Sequence, residues 1–139
     1  MIARTSAIQI YRVIDANFNR AKEALRVCED VTRFILDDKN LSRRFKYLRH
    51  QLTGVLSALP FDQLIRNRDI VSDVGRGSIS TELKRKDWPD IFYANIQRSK
   101  ESVRVLEECV KLFNTKLAVR FKKMRYTLYA LEKKVVGQI

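Results

Sequence analysis

The sequence writes one helix twice. Residues 16–30 read ANFNRAKEALRVCED, and residues 94–108 read ANIQRSKESVRVLEE. Aligned over residues 16–36 and 94–114, eight of 21 pairs are identical. Shortening the connection by two residues brings residues 41–55 onto 117–131, where six of 15 pairs match. These are Leu41/Leu117, Arg44/Arg120, Phe45/Phe121, Lys46/Lys122, Arg49/Arg125 and Leu52/Leu128. Fourteen identities in 36 pairs, over two elements in the same order, are not a chance outcome. The chain reads as two copies of a helical hairpin, residues 11–56 and 92–135, in one domain spanning 1–139.

Each copy carries a helical period. At roughly 100° per residue, Phe18, Ala21, Ala24, Leu25, Val27, Cys28, Val31, Phe34 and Ile35 share one broad arc. The second copy places Ile96, Ser99, Ser102, Val103, Val105, Leu106, Cys109, Val110, Leu112 and Phe113 on the same arc. FILDDKNLSRRF supplies the first turn, with Asp37, Asp38 and Asn40 as cap candidates. Asn114 and Thr115 serve the second. Short turns make antiparallel neighbours, and two hairpins pack into a four-helix bundle. The expected fold is therefore all-α, with the hairpins related by a pseudo-two-fold axis and joined by a long loop.

That loop, residues 57–90, breaks the pattern with Pro60, Gly75 and Gly77, and leaves room for one short helix at 61–65. Long irregular connections in a small domain are usually functional. Asp87-Trp88-Pro89 then reads as a helix start, with Asp87 as N-cap and Pro89 in the first turn.

Several polar residues sit on the wrong face. Asn17 and Arg20, and their counterparts Asn95 and Arg98, project into the apolar arc, with Glu23 and Glu101 at its margin. A buried Arg is costly unless it is paired. Two readings stand side by side. One is an internal network with Arg20 on Glu23 and Arg98 on Glu101. The other is a pocket between the hairpins, whose arginines grip phosphate with forked hydrogen bonds. Arg49 and Arg125, beside the apolar stripe of the second helices, either extend that cluster or snorkel to solvent. Glu29 and Glu107 project outward and are expected to be solvated. In the loop, Gly75 and Gly77 flank Arg76 and allow close backbone approach to a phosphate, while Asp69 or Asp73 suits a hard Mg²⁺ ion; an ordinary turn capped by the aspartates is the equal alternative.

Composition removes other chemistry. No apolar run reaches the length of a membrane span. The N-terminus has no signal-peptide core, so a cytoplasmic location is expected. Cys28 and Cys109 are the two cysteines, expected as buried thiols. His50 is the one histidine and pairs with Tyr126 in the alignment, which points to a surface position and removes any multi-histidine mechanism. The net charge of +12 favours phosphorylated ligands. The charge is spread through both halves, with neither a basic tail nor a basic–aromatic ladder, so nucleic acid is not the expected partner.

The run YRVIDANFNRAKEALRVCEDVTRFILDDKNLSRRFKYLRHQL, followed by RDIVSDVG, ANIQRSKESVRVLEE and FKKMRYTLYALE, resembles the helical domain often fused ahead of thiamine-phosphate synthase. The match runs from about Tyr11 to Glu132. It implies an alternative hydroxymethylpyrimidine phosphate kinase, using ATP and Mg²⁺ to make the diphosphate. The sequence ends at Ile139 without a synthase barrel, so the expected form is the stand-alone domain; the alternatives are a non-catalytic, metabolite-binding partner of a separate synthase and, third, a basic helical nucleic-acid binder. Phosphoryl transfer relies on positioning and charge stabilisation. On that chemistry Arg20, Arg98 and Asp73 are the candidate catalytic groups. Asn17, Asn95, Arg49, Arg125, Gly75, Arg76 and Gly77 are the candidate phosphate and substrate contacts, and Asp69 and Asp73 the candidate metal ligands.

Overall fold

Four long helices form the frame of this computed structural model, which describes residues 4–139 and side chains from Ala7 onward. Residues 1–3, part of the stretch read above as lacking a leader, lie outside the described residues. The helices are α1 (Arg4–Asp30), α2 (Lys39–Leu56), the short α3 (Phe61–Arg66), α4 (Trp88–Val110) and α5 (Thr115–Val136). The described residues contain no strand. The all-α bundle expected from the periodicity is the fold observed.

The starts of the helices follow local chemistry. Asp38 accepts the Leu41 amide at 2.9 Å, and Asp87 accepts that of Asp90 at 3.0 Å, with Pro89 in the first turn. Asn114 accepts the amides of Lys116 and Leu117. Each side chain satisfies donors that the first helical turn leaves free. The tight turn before α2 uses Asp37 at a φ of 50°, a left-handed conformation that Asp tolerates.

α1 lies between α2 and α4, and α5 closes the square against α4 and α2. Tyr11, early in α1, stacks on Phe113 just beyond α4 with ring centroids 5.7 Å apart, so α1 and α4 run antiparallel. Phe45 of α2 meets Phe92 of α4 edge to face at 6.4 Å in the core. Ile14, Leu25, Leu52, Ile96, Leu106, Leu128 and Leu131 complete the interior, each contributing about 1.5–3 kcal/mol by leaving water.

The arc differs from expectation at its ends. Val27, Val105 and Cys109 are half-buried, while Phe34, Ile35, Leu112 and Phe113 are exposed. In the first hairpin the chain widens into a π-helical turn at Val31–Ile35. Phe34 and Ile35 leave the core there, as their counterparts Leu112 and Phe113 do just beyond the end of α4. Cys28 is fully buried, and burial pushes its thiol well above the ordinary range. His50 is exposed, as expected.

Candidate functional site

A cleft of about 790 Å³ opens between the first half of α1 and the segment following α3. Asn17, Arg20 and Glu23 reach it from one face of α1, with Arg12 and Asp15 from the turn before. Arg68, Asp69 and Asp73 line the opposite wall.

A forked ion pair holds the two walls together. Arg68 Nε donates to Asp15 Oδ2, and Nη2 to Oδ1, both at 2.7 Å. Asp15 is 6% exposed and also accepts from Asn19 Nδ2 at 3.3 Å. The bidentate fork fixes the direction in which the segment leaves α3. Past Arg68, the chain folds on its own carboxylates. Asp69 Oδ1 accepts the Ser72 amide at 3.0 Å, and Asp73 Oδ1 accepts that of Gly75 at 2.9 Å. The Ser72 amide and hydroxyl hold the Asp69 carboxyl below the usual carboxylate range, with the nearby Arg12 guanidinium adding to the effect. Asp69 thus remains an anion well into acid.

The cleft mixes charges. Three guanidiniums face four carboxylates, Asp15, Glu23, Asp69 and Asp73, and one pair is already neutralised in the Arg68–Asp15 fork. Among the described residues Arg12 and Arg20 make no ion pair, so two forked cations stand open beside Asp69 and Asp73. A bare polyanion is a poor fit for such a lining. A phosphate group that arrives with a divalent cation is a good one. The described residues contain no cluster of three or more metal-ligating side chains.

Asn17 is 6% exposed, and its Nδ2 donates to the Val13 carbonyl at 2.9 Å. Its Oδ1 is left as an acceptor on the cleft wall, suited to an amino group.

The sequence-predicted residues separate into two groups. Asn17, Arg20, Asp69 and Asp73 come together in the cleft. Asn95 and Arg98 do not: Asn95 Nδ2 donates to the Ile91 carbonyl at 2.8 Å, and Arg98 is exposed on α4. The expectation of one pocket built from both copies is therefore corrected. The proposed Arg20–Glu23 and Arg98–Glu101 pairs are absent among the described residues, and Glu101 instead accepts from Gln97 Nε2. Both arginines lie at the edge of the arc, next to the half-buried Val27 and Val105, and reach solvent.

Arg49 and Arg125 are also accounted for elsewhere. Arg49 Nε donates to Glu29 Oε2 at 3.0 Å, and Arg125 Nη2 reaches both Glu107 oxygens at 3.2 Å. Glu29 and Glu107 are each 3% exposed. They are not solvated as expected, because the side of the arc read as outward faces the second helix of each hairpin. Gly75, Arg76 and Gly77 are exposed and do not line the cleft. The Gly75 amide is committed to Asp73, and no described glycine has a positive φ, so the expected glycine cradle is not formed here.

Arg12 and Asp15 are cleft residues that sequence reasoning passed over, and Arg68 was legible only as the start of the linker motif RDIVSDVG. Asp15 beside Ile14, at the edge of the buried arc, was the available signal: a buried carboxylate requires a partner.

No helix is long and apolar enough to cross a membrane among the described residues. No solved structure matches the chain. Among curated proteins it is similar to thiamine-phosphate synthase of Rhodopirellula baltica, at 38% identity over 133 residues, covering 92% of this chain and 36% of that protein. It is similar also to the thiamine-phosphate synthases of a Nostoc species (36% identity, 92% and 36%) and a Synechocystis species (37%, 96% and 38%). The chain thus spans a little over a third of the length of these relatives. The profile of the ThiD2 family matches residues 12–134, and the chain belongs to that family.

Proposed function

We propose that the chain acts in thiamine biosynthesis, as a phosphotransferase that converts hydroxymethylpyrimidine phosphate to the diphosphate with Mg-ATP. Membership of the family and the thiamine-phosphate synthase names of its relatives support the pathway. The observation that carries the reaction class is the cleft, where the open arginines Arg12 and Arg20 stand beside the carboxylates Asp69 and Asp73.

In this reading Arg12 and Arg20 bind and align phosphate oxygens through forked hydrogen bonds. The attacking oxygen belongs to a phosphate and is largely ionised at neutral pH, so no strong general base is required. Asp69 and Asp73 would hold Mg²⁺, which when bound spreads the charge of the nucleotide phosphates. Asn17 Oδ1 accepts from the amino group of the pyrimidine. The Arg68–Asp15 fork keeps the carboxylate wall facing α1.

The test is a direct assay with purified protein, Mg-ATP and hydroxymethylpyrimidine phosphate, scored for the diphosphate by mass and for ADP. Substrate-dependent formation of both products supports the reading, and their absence at high enzyme concentration overturns it. A second reading rests on the thiamine-phosphate synthase names of its relatives: a non-catalytic, substrate-binding partner of a synthase. Ligand-induced thermal stabilisation without turnover, together with co-purification with a synthase, selects that alternative.

A further inference from the structure

α2 and α5 hold nearly all of the chain's excess charge. α2 has five Lys and Arg and no Asp or Glu; α5 has seven and one acid, Glu132. Together these two helices carry +11 of the net +12. They are neighbours in the bundle, and a groove between them is lined by Gln51 and Val55 on one side and by Arg120, Lys123, Met124 and Thr127 on the other. No residue of either helix lines the cleft.

The cations of α2 and α5 make few ion pairs, although Lys39, Arg43 and Lys46 line a hollow with Glu29, Asp37 and Asp38, and Lys122 lines one with Glu107. Of twelve Lys and Arg on α2 and α5, Arg49 and Arg125 are spent on Glu29 and Glu107. Among the described residues the other ten make no ion pair. Glu132, the single acid, is bound to Lys100 of α4 at 2.9 Å. The cations that lie away from those acids, Arg120 and Lys123 in the groove among them, repel one another, a strain that an external polyanion relieves.

The shape selects the class of anion. At 18 and 22 residues, α2 and α5 extend about 27 and 33 Å, far longer than a nucleotide and comparable to about ten nucleotide steps of backbone. The apolar side chains exposed here are mostly tyrosines, including Tyr47 at 65% and Tyr126 at 58%. Every Leu, Phe and Met of the two helices is buried. A membrane would require apolar side chains to insert, and a protein partner an apolar centre; the face has neither. Exposed tyrosines among cations suit stacking bases along a phosphodiester chain. We propose that the α2–α5 face binds nucleic acid through its phosphate backbone, without sequence preference, independently of the cleft.

The test uses the full chain and a fluorescein-labelled single-stranded RNA of about 25 nucleotides, with a DNA duplex of equal length, read by anisotropy. Binding is expected to weaken by about 10²–10⁴-fold between roughly 50 and 200 mM salt. The triple variant Arg44→Glu/Arg120→Glu/Lys123→Glu is expected to lose at least about 30-fold in affinity. Lys84→Glu/Arg85→Glu/Lys86→Glu, which changes net charge equally on the exposed linker, is expected to lose less than about 3-fold. Circular dichroism checks that each variant folds. Should the first triple unfold, Arg44→Gln/Arg120→Gln/Lys123→Gln replaces it, set against Lys84→Gln/Arg85→Gln/Lys86→Gln. Absence of binding at low salt, a flat salt response, or equal losses in both triples overturns the proposal. So does binding of phosphatidylserine vesicles or polyglutamate by a chain that ignores RNA and DNA. Preference for RNA over the duplex assigns the ligand to single strands, and the reverse to double strands; either supports the backbone reading.

Discussion

Glu107 and Arg125 meet across α4 and α5 at positions that align with Glu29 and Arg49 across α1 and α2. In both hairpins a buried carboxylate on the first helix is met by a guanidinium from the second. Arg104 and Arg26 add a further, exposed guanidinium to the same carboxylates at 3.2 and 3.9 Å.

Removing one partner leaves the other charge buried. Arg125→Ala is expected to destabilise the fold by about 3–5 kcal/mol, measured by urea unfolding. Arg49→Ala should cost about as much, because Glu29 and Glu107 are equally buried and Arg26 stands farther from Glu29 than Arg104 does from Glu107. The double variant Glu107→Leu/Arg125→Met should recover much of the loss, since the desolvation cost disappears along with the pair.

The cleft divides the arginines that sequence alone treated as equals. Arg20→Ala should reduce kcat/KM for diphosphate formation by about 10²–10³-fold with an unchanged melting temperature, on the scale of losing one charged phosphate contact. Arg98→Ala, on the exposed face of α4, should leave turnover within about 2-fold. Equal loss from both would return the site to the interface between the hairpins.

Arg68→Ala releases the carboxylate wall without opening the core. Arg68 is 43% exposed but Asp15 is buried, so the loss strands a buried carboxylate and costs about 1–3 kcal/mol. The expected result is faster amide exchange at residues 68–75, a raised KM for Mg-ATP and a modestly lowered unfolding midpoint. Unchanged exchange in that segment would show that the fork does not order it.

Asp38 gives the fold a pH signature. The Leu41 amide, and next the Gln138 side chain, hold its carboxyl below the ordinary value. A carboxylate with a depressed folded pKa stabilises above its unfolded value of about 3.9, and that stability is lost as pH falls through the folded value. Asp38→Asn should therefore flatten the stability profile below about pH 4, while leaving the α2 cap largely in place, because Asn is also a good N-cap. Thermal melts of both proteins from neutral to strongly acidic pH check this.

The two hairpins, their caps and the short helix in the linker were legible in the sequence, because each rests on local rules. Asp38, Asp87 and Asn114 cap where capping chemistry places them. The cleft was half legible. Asn17, Arg20, Asp69 and Asp73 were identified singly, but their grouping depends on the Arg68–Asp15 fork, between residues 53 apart. No periodicity encodes such a contact. Counting Val27 and Val105 as core widened the projected arc, which drew Arg20 and Arg98 into it. The basic face was hidden for a related reason. Its cations are spread along the chain, and become neighbours only when α2 packs beside α5.

The wide turn at Val31–Ile35 has a mechanical consequence. The first connection is two residues longer than its counterpart in the alignment, yet both second helices start directly after a side-chain cap, Asp38 in one and Asn114 in the other. The surplus is wound into the end of the first helix instead of being spilled into a loop. That turn behaves as a spool: it takes up chain by unwinding Phe34 and Ile35 toward solvent, and leaves the anchored layers on either side in register.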